Sequence, residues 1–237
     1  MGKHRDFILT PIAKILEELK AANSGIGDGI ETYPLSEYIF QSAFLKMTGF
    51  QEQKLKCIVW DLATDDYVYR YKRFTSSPFG ECSHYKEKKD IYKDLVDLIT
   101  ELEPGYKPYV DIDKVALEAE VIGEMKAIFG GTNLSTWAHD SYMAFEKDTA
   151  VIPAADFMTP KNFLEPTLHE KFELLYRHRN RCAHNTLSYQ ENLPTLNTLL
   201  KVKPKDDNYF VRFTILVLID KIYVRLYEKY RQLADEN

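Results

Sequence analysis

Apolar residues recur along this chain at steps of three and four, the spacing of one face of an α-helix. Phe7, Ile8, Ile12, Ile15, Leu16 and Leu19 predict a helix over 6–22, stopped by NSGIGDG at 23–29. Leu35, Ile39, Phe44, Met47 and Phe50 open a second helical stretch. Leu55, Ile58, Val59 and Leu62 continue it, with Thr48-Gly49 as the point where it kinks or divides. Tyr67, Tyr71 and Phe74 carry the helical period onward, although VYRYKRF (68–74) also alternates as a strand would; helix is the preferred reading. SSPFGECS (76–83) reads as a loop.

Ile91, Leu95, Leu98 and Leu102 place a charged helix over 84–103, broken by PGYKP at 104–108. A helix over 112–129 opens at Asp111 or Asp113 and closes at Gly130-Gly131. A short helix over 135–147 and a loop or extended stretch over 149–160 follow. Phe163, Leu164, Leu168, Phe172 and Leu175 predict a helix over 161–186. The segment 188–207, with Pro194 and Pro204, holds a turn of helix at most, and a last long helix covers 208–233. No sustained strand alternation, internal repeat or low-complexity tract interrupts this pattern. The expected fold is all-α, a bundle of six or seven helices in one domain over 1–237. Its centre of gravity is 84–237, with 1–83 as a helical elaboration packed on it.

Composition narrows the partners. Lys and Arg total 31 against 36 Asp and Glu, a net charge of −5, so contact with a polyanion needs a local basic patch. Cys57, Cys82 and Cys182 are odd in number and widely spaced, which predicts neither a disulfide framework nor a zinc ribbon. Cys82 and His84 form a lone C-x-H, a weak metal signal, and no metal or cofactor is expected. The apolar run Phe213 to Ile219 is flanked by Arg212, Asp220 and Lys221 and is too short to span a bilayer, which needs about twenty residues. The N-terminal MGKHRDFIL does not read as a secretory signal, so a reduced, cytoplasmic protein without membrane contact is the expectation.

The chemistry concentrates in KFELLYRHRNRCAHNTLSYQ (171–190). Between Glu173 and Glu191 there is no acid, while Arg177, His178, Arg179, Arg181 and His184 all fall there. Leu168, Phe172, Leu175, Arg179 and Cys182 share a helix face, which sets Arg179 in the apolar stripe; His178 is assigned to the solvated face. A desolvated guanidinium is costly unless paired, so such a position marks a site or an interface. His184 lies one turn beyond Asn180, and Arg179 and His184 are about 140° apart on an ideal helix. These residue types suit metal-free RNA cleavage. A ribose 2′-OH attacks the adjacent phosphate, an imidazole moves the proton, and a guanidinium stabilises the charge that develops.

Arg179-Asn180-Arg181-Cys182-Ala183-His184 resembles the R-N-x-x-x-H form of the R-x(4–6)-H motif of the HEPN superfamily, and Arg177 meets the bare pattern as well. The resemblance covers 20 to 30 residues directly. It implies a HEPN-like helical bundle, often homodimeric, with metal-independent endoribonuclease activity in toxin–antitoxin or antiviral systems. It further implies Arg179, Asn180 and His184 as the catalytic set, with Arg177, Arg181 and Asn185 on RNA phosphates. RNA, a second copy whose motif helix meets this one near a two-fold axis, and an antitoxin or other regulatory protein are the implied partners.

Other readings stand beside it. The same bundle could serve as a non-catalytic nucleotide- or protein-binding module. Arg179 could be a structural arginine paired with Asp61, Asp65 or Asp220. His184 could interact with the helix C-terminus, with Asn185 as its cap. The aromatic–basic run 69–74 suits stacking of single-stranded RNA, but a core-facing aromatic stripe with a charged outer face is preferred.

Overall fold

The computed structural model describes residues 3–27, 29–76, 80–184 and 208–236. Among them it is all-α, with one isolated bridge, Phe157 to Leu164, in place of any strand. The helices are α1 (Lys3–Leu9), α2 (Lys14–Asn23), α3 (Tyr33–Asp65), α4 (Tyr67–Ser76), α5 (Tyr85–Leu102), α6 (Pro108–Asp111), α7 (Lys114–Phe129), α8 (Asn133–Trp137), α9 (His139–Lys147), α10 (Pro166–His184) and α11 (Tyr209–Glu236).

The centre of the molecule is α11. Every residue from Phe210 to Asp220 is buried, so this half of the helix is enclosed on all sides; it is apolar but for Arg212, Thr214 and Asp220. It packs against α3, α5, α7 and α9, with α10 also in contact. Phe40 of α3 anchors an aromatic cluster with Phe129, Trp137, Tyr209 and Phe213, ring centroids 5.3 to 6.0 Å apart.

The helix expected over 6–22 is two helices, because Pro11 falls inside it. Proline has no N–H to donate and its ring clashes with the preceding turn. The groups exposed at the break find buried partners: Lys54 Nζ donates to the Thr10 carbonyl (2.7 Å), and the Ile12 N–H donates to Asp220 Oδ2 (3.0 Å). Lys54 and Asp220 are themselves paired at 2.6 Å and almost wholly buried.

The break expected at Thr48-Gly49 does not occur; α3 runs through it for 33 residues. A glycine costs a helix about 1 kcal/mol, and packing of α3 on α1, α2, α10 and α11 exceeds that. The chain breaks instead at Asp66, whose backbone is extended and whose carboxylate caps α4 by accepting the Tyr69 N–H at 2.9 Å. The 161–186 helix begins later than its apolar spacing suggests, at Pro166, where a missing N–H does no harm. Phe163 and Leu164 are buried before it, at the bridge to Phe157. The 112–129 helix holds as α7, capped by Asp113 and closed at Gly130; Gly131 has φ +69°.

Helix α4 reverses the preferred reading of its aromatic stripe. Tyr67, Tyr71 and Phe74 face solvent, with exposures of 67%, 64% and 49%. The buried ring is Tyr69, whose hydroxyl donates to Asp94 of α5 at 2.9 Å, while Arg73 pairs with the same carboxylate at 3.5 Å. Tyr69 and Arg73 are one turn apart, so their shared hold on Asp94 turns the 67/71/74 stripe outward.

Candidate functional site

Helix α10 carries the arginine-rich segment. Leu168, Phe172 and Leu175 are buried, and their stripe continues into half-buried Arg179 and Cys182. The expected placement of Arg179 among apolar neighbours is therefore what the helix presents. Its guanidinium reaches Glu52 of α3 at 3.5 Å and Asn180 Oδ1 at 3.3 Å, and it lies 6.0 Å from the centroid of the Tyr176 ring. Its Nε is buried and makes no hydrogen bond. A guanidinium in this state has a long ion pair and donor capacity to spare.

The carboxylate on Arg179 is thus Glu52. Asp61, Asp65 and Asp220 are engaged elsewhere: Asp61 by the Tyr227 hydroxyl at 2.6 Å and by His4, Asp65 by Arg231, and Asp220 by Lys54.

Behind Glu52 stands Lys88, in the first turn of α5 and 3% exposed. Its ammonium donates to the Cys82 carbonyl at 2.6 Å and lies 5.9 Å from the centroid of the Phe172 ring. Burial lowers its pKa to about 8, against the opposing pull of Glu52, Cys82 and Glu87, and the Arg179 charge lowers it further. Burial also pushes the Cys82 thiol up to about 12. Cys82 is held at φ +60°, and His84 caps α5 in a reciprocal box with Glu87 while its ring sits 5.0 Å from Tyr176. These contacts give Cys82 and His84 structural work. Among the described residues no group of three or more His, Cys, Asp or Glu is placed to hold a metal ion.

His178 is not on a solvated face. It is half-buried, with Nε2 3.0 Å from the Tyr209 hydroxyl and 3.4 Å from Cys182 Sγ, and Nδ1 3.3 Å from an Arg181 nitrogen. Phe44 and Tyr209 flank its ring. The reason is helical phase, since Leu175, His178 and Cys182 step by three and four. Beside His178 is a cavity of about 190 Å³ bordered by Glu37, Phe40, Trp137, Ser141 and Tyr209. Burial raises the Cys182 pKa, opposed by the charges of Arg212 and Arg181.

The candidate residues therefore divide. Arg179 reaches Glu52 and touches Asn180; Arg181 turns toward His178; Arg177 is exposed. His184 is the last residue of α10, five positions beyond Arg179, and its side chain is not among those described. Asn185 lies outside the described residues.

Glu52, Lys88 and His178 did not stand out as candidates in the sequence. A signal for them was present, because each is a polar residue in phase with an apolar stripe. Lys88 precedes Ile91, Leu95 and Leu98 at helical steps, and Glu52 is in step with Leu55 and Val59.

Among the described residues no helix is long and apolar enough to cross a membrane. Compared with family models, curated proteins and solved structures, the chain matches none.

Proposed function

We propose that this protein is a metal-independent endoribonuclease of the HEPN type, with Arg179, Asn180 and His184 as its site. The observation that carries the reading is the state of Arg179. It is set in an apolar stripe, its pair with Glu52 is long at 3.5 Å, and its buried Nε has no acceptor. A phosphate offers the bidentate acceptors such a fork lacks.

In this reaction the ribose 2′-oxygen attacks the adjacent phosphorus and the bond from phosphorus to the 5′-oxygen breaks. The products are a 2′,3′-cyclic phosphate and a 5′-hydroxyl. Arg179 stabilises the charge on the non-bridging oxygens, displacing Glu52 as its partner. Asn180, in contact with Arg179, orients a phosphate or hydroxyl oxygen. His184 takes the 2′-OH proton or returns one to the leaving oxygen, as an imidazole near neutral pH can. Exposed Arg177, together with Arg181 and Asn185, contacts flanking phosphates. A homodimer in which two α10 helices meet would place two such sets around one cleft.

The test is incubation of RNA with the purified protein in excess chelator, with analysis of the ends. Cleavage that leaves cyclic phosphate and is lost in Arg179→Ala and in His184→Ala supports the reading. Undiminished cleavage by the double variant rejects it.

One observation favours a second reading, a non-catalytic binding module: Arg179 already has a carboxylate within its own chain. That reading expects RNA or nucleotide binding without turnover, and Glu52→Gln would then tighten binding and yield no product.

A further inference from the structure

The described surface has one region where large apolar side chains crowd together in the open. Tyr67, Tyr71 and Phe74 share a face of α4, with Val68 beside them, and each is between 49% and 74% exposed. Elsewhere the exposed large apolar residues are dispersed along the chain. Aromatic side chains with arginine are the composition of protein–protein hot spots, and Arg70 lies 5.1 Å from the centroid of the Tyr67 ring.

Beside this face, α4 and α5 leave a groove. Two cavities of about 340 and 510 Å³ adjoin there, sharing Asp66, Val68, Leu98 and Glu101. Val68 and Leu98 give the groove apolar walls. Lys72 and Arg73 of α4 and Arg231 of α11 also line it, but carboxylates outnumber them, and on α5 Asp94, Asp97 and Glu101 follow one another at steps of three and four. Asp94 is occupied by Tyr69 and Arg73. Asp97 and Glu101, one turn apart and exposed, make no ion pair among the described residues. Asp66 at the groove's end spends its carboxylate on the α4 cap.

We propose that the groove between α4 and α5 is the docking site for a cationic amphipathic helix of a partner protein. The partner's apolar side chains lie on Val68 and Leu98. Its Lys or Arg residues, one turn apart, meet Asp97 and Glu101, and its flank rests on Tyr67 and Tyr71. Charge complementarity selects this occupant, because free carboxylates along the groove repel a nucleic-acid backbone. Helix α4 has ten residues, so the groove accommodates about three turns of a partner helix. The surface is separate from the Arg179 site and does not depend on the ribonuclease reading.

The probe is a fluorescein-labelled peptide of about 18 residues, leucine and lysine in amphipathic helical order, long enough to form a helix. Its binding to the full chain is followed by anisotropy at about 0.15 M salt, where distant charges are screened. Saturable binding is expected, weakened about tenfold by Asp97→Asn/Glu101→Gln and unchanged by Asp140→Asn/Glu170→Gln. The charge-reversed Asp97→Lys/Glu101→Lys variant is expected to lose this peptide and to bind its leucine–glutamate counterpart. All of these positions are exposed, so folding is not at stake. Equal binding by the wild type and Asp97→Asn/Glu101→Gln, or equal loss in both carboxylate pairs, overturns the proposal. So does preferential binding of a labelled oligothymidylate that Tyr67→Ala/Tyr71→Ala abolishes, which would assign the face to single-stranded nucleic acid. A homodimer that Asp97→Asn/Glu101→Gln dissociates and the peptide does not compete with would assign it to a second copy and likewise overturn it.

Discussion

Two residues on α3, Lys54 and Glu52, each meet an opposite charge from a helix distant in sequence, and the two pairs differ in almost every physical respect. Two positions apart on a helix is about 200°, so they look to opposite sides. Lys54 faces Asp220 of α11 at 2.6 Å, both side chains at most 2% exposed, with Thr10 and Ile12 taking up the remaining capacity. Glu52 faces Arg179 of α10 at 3.5 Å, the pair is 14% and 24% exposed, and a guanidinium nitrogen has no acceptor. A buried pair with its hydrogen bonds satisfied holds a structure in one arrangement. A longer, partly solvated pair with an unused donor is one a ligand can replace.

The contrast predicts a separation of effects. Lys54→Met leaves Asp220 buried without its counter-ion and frees the Thr10 carbonyl at the α1–α2 break. It should cost about 3–5 kcal/mol in urea unfolding. Adding Asp220→Leu should recover part of that loss, because the Ile12 N–H and Thr10 carbonyl stay orphaned; full recovery would show that the break needs no support. Arg179→Ala should lower RNA cleavage by about 10² to 10³ while changing stability by under about 1 kcal/mol.

Lys88 offers a smaller, pH-resolved test of the core behind Glu52. Its pKa is about 8 in the folded protein, below the ordinary lysine value of 10.5 that the unfolded chain recovers. Below pH 8 both states hold the proton and the burial penalty is fully present. Between 8 and 10.5 the unfolded chain binds more protons, so stability rises with pH. Relative to Lys88→Met, the wild type should gain about 1 kcal/mol from pH 8 to 9 in paired urea titrations. A flat difference would mean that Lys88 is not desolvated. The smallest effect belongs to Glu52→Gln, which should change stability by about 0.5 kcal/mol and raise cleavage a few-fold by releasing Arg179. Lost cleavage would show that Glu52 positions the arginine instead of competing for it.

Legibility in the sequence followed the strength of the local signal. Helix α5 could be read almost to its ends, since Ile91, Leu95, Leu98 and Leu102 repeat at one phase and His84 sits at its start. The buried run of α11 was equally plain. Boundaries set by competition were less so. Pro11 and Gly49 both interrupt a helical pattern, but in the folded chain the packing of α3 overrides the glycine and nothing overrides the proline. For α4 the period was right and the phase was wrong, because Asp94, from a helix later in the chain, decides which side of α4 is inside. At the site, the apolar stripe located Arg179, but its carboxylate comes from α3, and periodicity within α10 carries no information about that partner. His178 carries two signals at once, a ring nitrogen that suits solvent and a phase with Leu175 and Cys182 that sets it inward, and the phase prevails.

On the proposed reading Arg179 serves a ligand, whereas Lys54 serves the fold. Arg179→Ala and Lys54→Met, measured side by side for thermal unfolding and for RNA cleavage in chelator, test it most directly. Arg179→Ala is expected to unfold within about 3 °C of the wild type yet to have lost cleavage, while Lys54→Met unfolds far lower. An Arg179→Ala variant that is destabilised as severely as Lys54→Met, or that retains full cleavage while folded, would contradict it.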